Sequence, residues 1–160
     1  GKNIDVRATY PSDSKDMLTE FVDNVITIGA SSLHYGKKLP ANFSNYGKIN
    51  VDVFAPGVDI YSSTPENKYE ALSGTSMAAP STAGVAALIR GYYPDLSAKE
   101  VKYILMKSRV KIGFDVIKPG SQSKENPEGI LVPFSELSVS GGIVNAYNAL
   151  QLAEYLSNKK

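Results

Sequence analysis

The segment Ser73-Gly74-Thr75-Ser76-Met77-Ala78-Ala79-Pro80 leads into a long apolar run. This spacing sets a serine at the start of a helix. The first amides of a helix have no intrahelical acceptor, and the aligned peptide dipoles put partial positive charge there. Gly74 permits a tight backbone turn into the helix. Pro80 lacks an N–H, so the Ser76 carbonyl four residues earlier loses its usual helical donor. A serine so placed is exposed, with its own N–H beside any oxyanion that forms. Those are the requirements for an acyl-transfer nucleophile. The same residues also fit plain capping chemistry, since Gly-Thr-Ser is a common way to open a helix. The residue types alone leave both readings open.

Other chemistry is scarce. There is no cysteine among the 160 residues, which excludes disulfides, thiol nucleophiles and thiolate metal centres. The single histidine, His34, falls in the turn His34-Tyr35-Gly36-Lys37-Lys38 and reads as solvated. Asp13, Asp16 and Glu20 form the closest acidic group. They lack the spacing of a calcium loop and read as a solvated loop. Lys plus Arg is 17 and Asp plus Glu 16, so no bulk field draws nucleic acid or an anionic membrane. No apolar run approaches the roughly 20 residues that span a bilayer. Apolar residues are 42% and charged residues 21%, which excludes a wholly disordered chain. The first residues have no apolar leader segment and do not begin with Met, so the expectation is a processed product or a piece of a larger gene.

The elements that must hold Ser76 follow from pattern. Residues 1–20 are polar and read as a loop, mobile at Ser12–Asp16. Val25–Ala30 and Val51–Ala55 are short, β-branched apolar runs, as expected of strands buried on both faces of a parallel sheet. Asp59–Thr64 is a shorter extended piece. A helix is expected from about Gly74 to Tyr92; it is apolar on nearly every side, so it should be buried. Ser97 and Glu100 form a capping box for a second helix, with Leu96 and Val101 placed as a hydrophobic staple. A last helix should run from about Val144 to Leu156. Residues 109–141 carry a polar, Pro- and Gly-punctuated stretch between the apolar pieces Val110–Val116 and Ile130–Phe134. That pattern predicts a hairpin-like surface insertion with its tip near Ser121–Asn126.

The block Gly74–Pro80, continued by Ala83-Gly84-Val85-Ala86-Ala87-Leu88, resembles the nucleophile signature of the subtilisin-like serine proteases, the subtilases. Further segments match in the family's order. Tyr10-Pro11 resembles the substrate-pocket segment and Val25–Ala30 the strand after it. Asn42–Gly47 resembles the "FS-x-x-G" turn, Val53–Gly57 the "APG" strand end, and Gly141–Ala146 the final helix entry. The resemblance covers roughly residues 9–110 and 140–157. It implies an α/β fold, the C-terminal portion of a doubly wound parallel sheet with helices on both faces. The whole of residues 1–160 is then part of one catalytic domain. Ser76 would be the nucleophile, and Thr75, after Gly74, would brace the oxyanion site. Thr9, Tyr10 and Pro11 would line or support the primary specificity pocket. Some family members bind a cation near the positions of Glu20 and Val22, which makes a weak cation site there an expectation; no other cofactor is implied.

The family's triad runs Asp, His, Ser along the chain, and its side-chain oxyanion donor, an Asn, precedes the tyrosine–proline segment. The Asp, the His and the oxyanion Asn have no match here; Asn3 lacks the glycine and small apolar strand expected before it. The resemblance therefore implies a serine endopeptidase in the intact protein and an inactive isolated chain. Its partners would be a peptide or protein substrate and an N-terminal half of the domain. Alone, the chain is expected to associate with itself. A non-catalytic scaffold, or a fragment completed by a second chain, are the alternatives. Family members mostly act outside the cytoplasm, so an extracellular or envelope location is expected.

Overall fold

The computed structural model describes residues 1–7, 9, 10 and 12–159. In chain order the elements are β1 (Ile28–Ser31), β2 (Val53–Pro56), β3 (Ile60–Thr64), β4 (Lys68–Leu72), α1 (Thr75–Tyr92), α2 (Ala98–Lys107), β5 (Val110–Lys111), β6 (Asp115–Ile117), β7 (Leu131–Pro133), a 3₁₀ turn (Phe134–Glu136), β8 (Gly142–Ile143) and α3 (Ala146–Ser157). The two β-branched runs do pair as parallel strands, Ile28 with Val53 through Ser31 with Pro56. The strand order is β1-β2-β8-β5, with β8 parallel to β2 and β5 antiparallel at the far edge. The fold is α/β.

Each face of this sheet has its own cover. On one, Ala30 and Ala55 meet Ala78 of α1, small side chains that let the helix approach closely. Behind α1 a second cluster joins Val85 and Ile89 to Leu96 just before α2, to Val101, Ile104 and Leu105 of α2 and to Ala149 and Ala153 of α3. On the other face Phe54 packs with Ile4, Leu39, Val51, Ile112, Val116, Phe134 and Leu137. The Phe54 and Phe134 rings meet edge to face at 5.1 Å. The stretch after α2 is thereby anchored to the core. Its first residues join the main sheet as β5, and β6 and β7 form an antiparallel hairpin. The loop between them is tied down where Gly120 donates its N–H to the Asn42 carbonyl at 2.9 Å.

Three local expectations change. Asp59–Thr64 is one half of a hairpin: β3 pairs with β4, which the sequence did not announce. All-round apolarity predicts a buried α1, yet burial runs along Ala78, Thr82, Val85 and Ile89, while Ala79, Pro80, Ala83, Gly84, Ala87 and Leu88 are exposed. Periodicity cannot choose a face when every face is apolar. The Ser12–Glu20 stretch is a folded loop, in which Asp13 and Ser14 are buried. Asp16 accepts the N–H groups of Leu18 and Thr19, which turns the chain back on itself.

Candidate active site

The carboxyl end of the sheet fixes where α1 begins. Gly57, just after β2, donates its N–H to the Ser31 carbonyl at 3.0 Å and accepts the Gly74 N–H at 2.8 Å. The chain therefore passes from strand end to helix start through main-chain hydrogen bonds. A Cβ on Gly57 would lie 2.8 Å from the Gly74 carbonyl oxygen and 3.0 Å from the Ala78 Cβ, so glycine is what permits this approach. Gly74 itself is the N-cap with φ 165° and ψ 162°, an extended conformation, not the special turn that its type had indicated. Its side chain offers no cap, which leaves the first amides open.

Ser76 is the second residue of α1 and is exposed. Met77 and Ala78 both direct their N–H groups to the Gly74 carbonyl, at 3.0 and 3.3 Å. The amides of Thr75 and Ser76 have no hydrogen-bond partner among the described residues, and neither does Ser76 Oγ. Ser81 Oγ donates to the Met77 carbonyl at 3.1 Å in the turn that Pro80 interrupts. Upstream, Ser73 Oγ accepts the Asp59 N–H at 2.9 Å, which ties the end of β4 to the start of β3. The arrangement presents a hydroxyl and unpaired amides together at the positive end of an 18-residue helix.

Among the described residues no histidine or carboxylate bonds to Ser76, and His34 is an exposed turn residue on the loop after β1. Thr9 lines a narrow crevice with Asp13, Met17 and Asn50. Tyr10 is 87% exposed. No hydrogen bond among the described residues joins either one to Gly74, Thr75 or Ser76, and Pro11 lies outside the described residues.

Glu20 belongs to a different cluster. Asp13, Glu20 and Asp52 bring their carboxylates within 4.8 Å of one another. The Lys102 ammonium stands among them, 2.8 Å from Glu20, 3.4 Å from Asp52 and 3.7 Å from Asp13. Lys102 and Asp52 are nearly buried, and Asp52 also accepts the Thr27 N–H at 2.7 Å just before β1. Burial pushes the Asp52 carboxyl up to about 6, against the Thr27 hydrogen bond and the nearby ammonium, which pull it down. The Lys102 ammonium is held above its usual range; burial opposes this, and Glu20 and Asp52 outweigh it. This donor set does not fit a metal ion as it stands, because the lysine already supplies the positive charge. Val22 lines a separate open cleft with Phe21, Asp23 and Asn24 beside Glu20. The acidic group of the 13–20 loop is thus only partly solvated. Its partners on α2 and just before β2 are too distant in sequence to be found by local pattern.

The subtilase family model matches residues 1–132. The chain belongs to the subtilase family. Subtilisin DY of Bacillus licheniformis is 45% identical over 91 residues, covering 57% of this chain and 32% of that protein. The cell wall-associated protease of Bacillus subtilis (strain 168) is 36% identical over 114 residues, covering 71% of this chain and 11% of that protein. In the solved subtilase cytotoxin SubAB assembly, a chain superposes with a TM-score of 0.70 over 98% of this one and 47% of its own length, at 22% identity; that likeness concerns the fold alone. The chain thus spans about a third of subtilisin DY and less of the cell wall-associated protease.

Proposed function

We propose that the intact protein is a serine endopeptidase whose nucleophile is Ser76. The carrying observation is the exposed Ser76 hydroxyl beside unpaired amides at the start of α1. In this reading a histidine base from outside these 160 residues takes the Ser76 Oγ proton. The oxygen attacks the scissile carbonyl, and the Ser76 N–H stabilises the oxyanion with an Asn that also lies outside. Collapse of the tetrahedral species breaks the C–N bond, with the proton passing to the leaving amine. Water then hydrolyses the acyl-enzyme. Thr75 braces the oxyanion site, and Thr9 and Tyr10 support the substrate pocket.

The exposed apolar side of α1 supports a further partner, the N-terminal half of the domain, which would cover Ala79, Ala83, Ala87 and Leu88. The substrate is a peptide or protein. An extracellular or envelope location is supported by the cell wall-associated relative; among the described residues no helix is long and apolar enough to cross a membrane.

The test uses the full-length protein with a fluorogenic peptide. Ser76→Ala should lower turnover by several powers of ten and abolish labelling by a fluorophosphonate. The 160-residue chain alone should neither cleave nor label, because a serine without a base is a poor nucleophile. Turnover by Ser76→Ala equal to the parent would refute the assignment.

A further inference from the structure

Beyond the ends of β1 and β2 lies a cleft of about 280 Å³. Phe43, Val58 and Ile117 give it apolar walls, and His34, Lys38 and Gln122 stand among its polar lining. Its place in the fold ties it to Ser76. Val58 follows Gly57, the residue whose carbonyl holds the Gly74 amide at the start of α1, and the cleft residue Ser32 follows Ser31, which holds the Gly57 amide. The cleft therefore opens at the carboxyl end of the sheet, beside the same hydrogen bonds that position the nucleophile. Crevices at this end are where open α/β sheets receive ligands.

Its charge is one-sided. Lys38 lines the cleft and no carboxylate does. The neighbouring Lys37 is already paired with Glu128 of the β6–β7 loop at 3.5 Å. Lys38 has no ion-pair partner among the described residues. Ile117 and Gln122 come from β6 and the loop after it, so the 109–141 segment builds one wall.

We propose that this cleft is a specificity pocket for an acidic side chain of the peptide substrate, with Lys38 as its cationic partner and the β6–β7 segment as one wall. The proposal rests on Ser76 being the nucleophile and adds the substrate class. Phe43, Val58 and Ile117 would pack on the methylenes of a glutamate, and Lys38 would meet its carboxylate. The chemistry is binding alone, so no bond forms or breaks in the pocket.

The experiment uses the full-length protease and fluorogenic peptides that vary one position at a time among Glu, Gln, Leu and Lys. At one position Glu should exceed Gln in kcat/KM by about fivefold, the scale of a partly exposed ion pair. High salt should shrink that ratio. Lys38→Glu, at an exposed position, should abolish the preference there and favour Lys, with the relative preferences at the other positions unaltered. Gln122→Lys should strengthen the Glu preference. A Glu-to-Gln ratio that ignores both substitutions at every position, while the separate Ser76→Ala variant is inactive, would overturn the pocket and leave the nucleophile standing. Turnover that survives Ser76→Ala would instead overturn the nucleophile.

Discussion

Among the described residues, a carboxylate outside the Ser76 segment has the most readable titration. Asp52 is buried beside Lys102, and its carboxyl rises from 3.8 to about 6 because desolvation outweighs the hydrogen bond and the ammonium. Its folded form therefore holds a proton that its unfolded form releases, over the interval from pH 3.8 to about 6. Stability from this group is fully present below that interval and is lost as pH rises through it. The lost share is about 3 kcal/mol at most. Asp52→Asn should remove this slope, so that denaturant midpoints of parent and variant converge or cross as pH climbs from 4 to 7. Parallel profiles would show that Asp52 titrates as an ordinary surface acid. At this scale the helix start at Gly74–Ser76 was legible because its residues are contiguous in sequence. The Lys102 cluster was not legible, because its members come from the 13–20 loop, the residue before β2 and α2, which meet only in the fold.

Among the elements, the junction of β2 with α1 is held by the absence of a side chain. A methyl group at position 57 would press on the Gly74 carbonyl oxygen at 2.8 Å, on the Ala30 Cβ at 2.9 Å and on the Ala78 Cβ at 3.0 Å. None of these is the far end of a flexible side chain. Gly57→Ala should cost about 1–3 kcal/mol and shift the start of α1. In the full-length protein kcat should fall with KM little changed, since the displaced residue is the proposed nucleophile. A variant with parental melting temperature and kcat would mean that the junction yields freely. The second helix was fully legible: Ser97 Oγ accepts the Glu100 N–H, and the Glu100 carboxylate accepts the Ser97 N–H at 2.7 Å, as the spacing foretold. Strand β4 was missed because Lys68–Leu72 is exposed along its whole length and shows no alternation of burial. Its partner β3 defines it, and pairing leaves little mark on composition.

For the whole molecule, the bare side of α1 sets the expected behaviour of the isolated chain. Ala79, Pro80, Ala83, Ala87 and Leu88 face outward, whereas the outer edge of β1 is covered by the 39–44 segment: Ala30 accepts the Ala41 N–H and donates its own to Ser44 Oγ, and Ser32 donates to the Leu39 carbonyl. Covering even ~1,000 Å² of apolar surface is worth roughly 25 kcal/mol before entropy costs. The 160-residue chain should therefore be a dimer or larger by light scattering at micromolar concentration. A stable monomer that binds no hydrophobic dye would show that the exposed face needs no cover. The hydrogen bonds from Gly57 to Ser31 and from Gly74 to Gly57 have a different kind of consequence. They are drawn entirely from the main chain, which every residue type except proline can supply at the donor. Mutation can exchange the surrounding side chains over long evolutionary times without erasing them. The seat of the serine is thus inherited as backbone path, and it can persist in lineages whose side chains have largely turned over.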